Sequence, residues 1–153
     1  MPNVDRRLTS LYPAFRAKVQ LVHNEVASWL MKHRPHQKLI ITETFRSVDR
    51  QQELYNQGRT TPGEIVTHRD GIKSKSNHQS GLAVDFAFQG LNGKLIWDDD
   101  QAWEYLGHRA RANGLVWGGD WRSPTDKPHV EWPQTDKTTY DAAKQWLADA
   151  GLH

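Results

Sequence analysis

Cysteine is absent from this 153-residue sequence. That excludes disulfides and thiolate metal sites, so any metal must be held by His, Asp or Glu, a donor set suited to a catalytic rather than a structural zinc. Long apolar runs are missing too, and no membrane insertion is expected. The opening stretch MPNVDRRLTSLYPAF holds no apolar segment of signal-peptide length, which sets the expectation of a protein that is made and waits in the cytoplasm. Charge of one sign is not in large excess: 20 Lys and Arg stand against 18 Asp and Glu, a net charge of +2. Without a dense basic stripe, nucleic acid is set aside as a partner. Repeats, low-complexity tracts and linkers are also missing. One domain over residues 1–153 is expected, a length that buries a real core, and a monomer.

What is present is aromatic and patterned. Seven tryptophans argue for a ring-rich core or a ring-lined cleft. Pro13 suits a first helical turn, and Phe15, Val19, Val22, Val26 and Trp29 then recur on one face. KLIITETF predicts a strand over Lys38 to Phe45. Ser47 caps a short helix from Val48 to Asn56, closed by Gly58. Residues Arg59 to Asn77 read as a long polar loop with a brief extended piece at Ile65 to Thr67; such loops are often functional. LAVDFAF predicts a buried strand. DDDQAWEYLGHRARANG predicts a helix with Trp103, Leu106 and Ala110 inward, ending at Asn113-Gly114. LVWG and HVEW are short strand candidates, and a last helix runs from Asp136 to Ala150 with Tyr140, Ala143, Trp146 and Leu147 inward. Helices and strands do not alternate regularly. The fold class is therefore α+β, a small, mostly antiparallel sheet flanked by helices.

The chemistry concentrates in SNHQSGLAVD, residues 76 to 85. Read blandly, it is a turn entering a strand. Read as a site, His78 and Asp85 are two arms of a metal centre, with Gly81 permitting the tight approach between them. A third arm must come from a neighbouring strand, and DKPHVEW offers His129. Hydrolysis needs a carboxylate near the attacking water to take its proton and pass it to the leaving amine. Asp126 is the first choice for that base. Glu131, on the same strand face as His129, is the second choice, or else a partner that orients a ligand histidine. The other six histidines sit in polar or helical contexts and read as structural or solvated.

These residues fit S-x-H-x-x-G-x-A-x-D followed by an acid three residues before a histidine. The pattern resembles the zinc peptidases of the bacterial cell wall: D-alanyl-D-alanine carboxypeptidases and dipeptidases, and L-alanyl-D-glutamate peptidases. Arg46 in FRS, the stretch QELYNQGRTTPGEIVT and the turn WGGDW resemble the L-alanyl-D-glutamate branch that includes phage endolysins. The resemblance runs over roughly residues 5 to 133. It implies a fold like that of the Hedgehog and DD-peptidase group and zinc on His78, Asp85 and His129. It further implies Asp126 as general base, Arg46 on the oxyanion or a substrate carboxylate, and Ser76 as a substrate-positioning or loop-shaping residue. Many D-alanyl-D-alanine members carry Glu where this chain has Asp126, which favours the other branch. The implied partner is the peptidoglycan stem peptide, cut between L-alanine and D-glutamate by an endolysin that reaches the wall after the membrane is permeabilised. The alternatives are a D-alanyl-D-alanine carboxypeptidase or dipeptidase, and a non-catalytic wall-binding module; pure binding needs neither Asp126 nor Arg46. Arg46 could instead cap the helix after Ser47. WGGDW reads as a tight turn packing Trp117 and Trp121, with Asp120 satisfying backbone donors. The loop from Arg59 to Lys75 is expected to wall the cleft, with Gly63 and Gly71 permitting movement.

Overall fold

A computed structural model of the chain describes residues 3–153. Four helices, α1 (Pro13–His33), α2 (Val48–Asn56), α3 (Asp100–Ala112) and α4 (Lys137–Ala150), accompany five strands. These are β1 (Gln37–Glu43), β2 (Ala83–Gly90), β3 (Leu95–Ile96), β4 (Val116–Trp117) and β5 (His129–Glu131). They form one sheet in the order β1-β2-β5-β4, with β3 pairing along β2, and every strand pair is antiparallel. The α+β reading holds. No helix among the described residues is long and apolar enough to cross a membrane.

Strand parity divides the sheet into two faces, because successive side chains alternate. On β2, Val84, Phe86 and Phe88 are fully buried in the core with Phe15, Val19 and Val22 of α1 and Trp103 and Leu106 of α3. Ala83, Asp85 and Ala87 take the opposite face. On β5, Val130 joins the core, so His129 and Glu131 lie on Asp85's face. On β1, Leu39 and Ile41 face the core opposite Phe88 and Phe86. The register then slips by one between Ile41 and Glu43, so that Glu43 pairs with Asp85. Without that bulge Glu43 would oppose Val84 and point into the core; the extra residue turns it outward. Because Asp85 also pairs with His129, Glu43, Asp85 and His129 form one rung across β1, β2 and β5.

Most expected elements are present, with local differences. α2 begins and ends as expected because Ser47 Oγ accepts the Arg50 amide at 3.1 Å, a standard N-cap. The buried stripe of α1 continues to Leu30, while Trp29 is only half-buried. Trp29 instead stacks on Tyr105, ring centroids 4.9 Å apart. β1 stops at Glu43, short of Phe45. β3 was not foreseen. The segment Ile65 to Thr67 pairs with no strand.

Candidate metal centre and cleft

One turn and two strands bring the three expected ligands together. Ser76 caps a turn of 3-10 helix at Asn77–Ser80: its Oγ accepts the His78 amide at 3.3 Å, while its own amide donates to Gln79 Oε1 at 2.9 Å. Gly81 ends the turn at φ +68°, a left-handed conformation that side chains disfavour. The chain can then enter β2 directly, placing His78 over Asp85. Ser76 thus caps the turn that carries His78, and it also borders the cleft. Candidate ligand atoms of His78, Asp85 and His129 all lie within 4.8 Å of one another. His78 Nε2 is 3.3 Å from Asp85 Oδ2, and His129 Nδ1 is 3.2 Å from Asp85 Oδ1.

The far nitrogen of each ring is occupied. His78 Nδ1–H donates to the Thr44 carbonyl at 2.8 Å, and His129 Nε2–H donates to Glu131 Oε1 at 2.7 Å. Each bond orients its ring so that the other nitrogen is turned towards Asp85. Burial opposes charge on His129, yet its hydrogen bonds to Asp85 and Glu131 push its pKa up to about 9. Burial likewise opposes charge on Asp85, but His78 and His129 hold its carboxyl well below the usual range. The pocket thus favours a positive charge between two imidazoles and a carboxylate. Those donors, with no thiolate, fit a zinc ion with one coordination position left open.

Glu131 is not placed as a base. Besides His129, it accepts Asn77 Nδ2 at 2.6 Å and Gln134 Nε2 at 3.0 Å, which leaves it an orienting partner. Asp126 borders the same cleft and makes no side-chain ion pair among the described residues. Burial and the neighbouring Asp85 carboxylate raise its pKa above the ordinary Asp value, against the pull of His129, His78 and Arg46. A carboxylate with raised proton affinity beside a cluster able to hold a metal suits proton transfer. Its backbone is held by Gly118: the Asp126 amide donates to the Gly118 carbonyl at 2.9 Å, and a Cβ on Gly118 would meet the Asp126 carbonyl oxygen at 2.3 Å.

Arg46 does not cap α2. Its Nη2 donates to Glu43 Oε2 at 2.7 Å and lies 3.7 Å from Asp85 Oδ2, while Nη1 donates to Gln51 Oε1 at 2.9 Å. Burial raises the pKa of Glu43, but its bonds to Arg46 and Arg50 outweigh this and lower it, so the pair is ionic. Glu43 and Gln51, missed in the sequence, thus aim the guanidinium at the edge of the histidine cluster. Only the apolar-facing position of Gln51 on α2 hinted at this; the role of Glu43 depends on the bulge, which the sequence does not announce.

WGGDW divides between core and cleft. Trp117 is buried and donates Nε1–H to the Lys127 carbonyl at 2.8 Å. Trp121 leans over His129, ring centroids 5.1 Å apart, and lines the cleft. Asp120 accepts from no backbone donor among the described residues and pairs instead with exposed Arg111 at 2.9 Å, because its carboxylate points to solvent across from α3. The opposite wall is the loop after α2, as expected. It is tied down by side chains: Gln51 Nε2 donates to the Arg69 carbonyl at 2.7 Å, Gln79 Nε2 to the Gly71 carbonyl at 3.0 Å, and Asp70 Oδ1 accepts three successive amides. The cleft between these walls measures about 1070 Å³.

Comparison with known proteins agrees with this geometry. Residues 70–132 match the family described as D-alanyl-D-alanine carboxypeptidase, a span that holds Ser76, His78, Asp85, Asp126 and His129. The peptidoglycan L-alanyl-D-glutamate endopeptidase CwlK of Bacillus subtilis (strain 168) is 44% identical over 101 residues, 61% of this chain and 59% of that protein. This chain therefore spans less than two thirds of that relative. Among solved structures, the L-Ala D-Glu endopeptidase ChiX of Serratia marcescens shares the fold at a TM-score of 0.55 and 23% identity, covering 85% of this chain and 86% of that one. The D,D-pentapeptidase VanY from a VanB-type resistance cassette, solved with Zn(II), shares it at a TM-score of 0.51 and 16% identity, covering 93% and 80%. The resemblance read from the motifs is borne out.

Proposed function

We propose that this chain is a zinc peptidase that hydrolyses the peptidoglycan stem peptide between L-alanine and D-glutamate, working as an endolysin of the phage type. One observation carries the reading: two histidines, each oriented by a hydrogen bond at its far nitrogen, and an aspartate converge in a cleft that also holds a carboxylate of raised proton affinity and a partly buried arginine. The similarity to CwlK supports the choice of bond, and QELYNQGRTTPGEIVT and WGGDW support the endolysin branch.

Zinc on His78, Asp85 and His129 would acidify a water molecule and polarise the scissile carbonyl. Asp126 takes a proton from the attacking water at its carboxylate and delivers it to the departing amine of D-glutamate. Arg46, locked between Glu43 and Gln51, presents a fixed cation to the carbonyl oxygen as negative charge develops there, with no reorganisation needed at that moment. Glu131 keeps His129 turned inward, and Trp121 closes one side of the centre.

Mass spectrometry of purified peptidoglycan, digested with zinc-loaded protein beside an EDTA control, tests all of this. New L-alanine carboxyl and D-glutamate amino termini that vanish with EDTA and return with Zn²⁺ are the expected result. The D-alanyl-D-alanine reading, favoured by the name of the matching family, predicts released D-alanine instead. Cleavage that survives thorough chelation would overturn the metal mechanism. The endolysin role predicts that host cells expressing the chain lyse only once their membrane is permeabilised.

A further inference from the structure

Once the ion pairs of the cleft are assigned, two charged groups remain uncommitted. Glu43 is held by Arg46 and Arg50, Asp85 by two histidines, and Glu131 by His129. Asp126 has the proton-transfer role above. The other is Arg69, which lines the cleft and forms no ion pair among the described residues. Its Nη1 donates to the Lys75 carbonyl at 3.0 Å and approaches Ser74 Oγ at 3.4 Å; Nε and Nη2 donate to nothing among the described residues. Its backbone is fixed at both ends of the peptide unit: the amide donates to Thr67 Oγ1 at 3.1 Å, and the carbonyl accepts Gln51 Nε2 at 2.7 Å. Gln51 is fully buried and its Oε1 accepts Arg46 Nη1. One buried side chain therefore ties the Arg46 guanidinium to the backbone of Arg69, and both arginines line the cleft.

We infer that Arg69 is a specificity-determining residue that pairs with a substrate carboxylate, the free α-carboxylate of the D-glutamyl residue. This rests on the stem-peptide reading above. In that substrate the α-carboxylate sits on the carbon that carries the scissile nitrogen, so its anchor must stand next to the group serving the scissile carbonyl. Arg69, in the same cleft as Arg46 and with its backbone tied to it through Gln51, meets that requirement, and an arginine fork with free N–H groups matches a carboxylate edge-on. The anchor is preorganised, since the loop is pinned before substrate arrives. It also predicts discrimination: a stem peptide whose α-carboxylate is amidated offers no charge to pair.

The test uses two synthetic peptides, L-Ala-γ-D-Glu-L-Lys and its α-amide, titrated calorimetrically into zinc-loaded Asp126→Ala protein so that neither is consumed. The same titrations are repeated with Arg69→Gln added. The acid should bind about tenfold more tightly than the amide, and Arg69→Gln should erase that ratio while leaving the amide's Kd within about twofold. Equal binding of the two peptides with Arg69 present would overturn the inference. So would a ratio that survives Arg69→Gln, a loss shared equally by both peptides (the mark of a merely structural tie to Lys75), or no binding of either peptide. Binding is read without turnover, so the two readings fail separately. Acid-over-amide discrimination in a protein that does not cut L-alanyl-D-glutamate would sink the bond assignment and keep the anchor.

Discussion

Gly118→Ala is a small change with a large expected effect. The added Cβ would lie 2.3 Å from the Asp126 carbonyl oxygen and 3.1 Å from both the Asp126 and His129 Cβ atoms. An ordinary carbon–oxygen contact is about 3.3 Å, so backbone must yield by about 1 Å. The yielding segment is the one that carries the proposed base and leads into a proposed ligand. Relaxation of an overfilled site costs about 2 kcal/mol, which in a chain of this size lowers Tm by about 6 °C. The displacement matters more for turnover: about 1 Å of misplacement at reacting groups costs on the order of a hundredfold. The variant should therefore stay folded at 25 °C and lose about a hundredfold in kcat/KM on stem peptide, measured beside circular dichroism melting and zinc content. Asp120→Ala, in the same turn but at an exposed pair, should leave both readouts nearly unchanged. Wild-type turnover and an unshifted Tm in Gly118→Ala would refute the claim that this glycine sets the position of Asp126.

Three further outcomes are expected. Asp126→Ala should abolish turnover yet retain stoichiometric zinc by elemental analysis; loss of the metal would make Asp126 a ligand rather than a base. Glu43→Gln should leave two arginines short of an anion, lowering stability by about 3 kcal/mol in urea melts and cutting kcat more than it raises KM; unchanged kcat would mean Arg46 needs no support. Asp5 provides a pH signature away from the cleft. Burial works against its charge, but the Arg7 side chain and amide hold its pKa down to about 2. A depressed carboxylate contributes stability above its unfolded value near 3.8, and that contribution fades as pH falls towards about 2. Asp5→Asn should thus lower Tm at pH 6 and converge with the parent near pH 2; a gap that persists in acid would refute the pairing.

The parts of the site legible in sequence are those fixed by short-range geometry. Ser76, His78, Gly81 and Asp85 lie within one turn and one strand, so the motif they form could be read as a unit, and Ser47 fixes the start of α2 through a single local bond. His129 was reached because a third ligand was required and HVEW already read as a short strand. Glu43 was invisible since its orientation depends on the one-residue slip between Ile41 and Glu43, which reverses the alternation that sequence reading relies on. Trp29 was misplaced for a related reason: Leu30 competes for the same helical stripe, and the large ring finds Tyr105 at the rim instead. The order in the loop after α2 was hidden because Gln51, Asp70 and Gln79 supply it through side-chain bonds to backbone, which leave no periodic trace.

The rung of Glu43, Asp85 and His129 also governs when the centre comes into being. Its members arrive from three distant stretches of chain, so loop-closure entropy must be met twice before any two ligand strands align. No fragment that stops before β5 can contain the cluster. If the chain is the proposed peptidase, a growing or partly unfolded chain is accordingly inert, and its capacity to hydrolyse switches on only when the sheet is complete. For the proposed wall peptidase, the sheet itself is the safety catch.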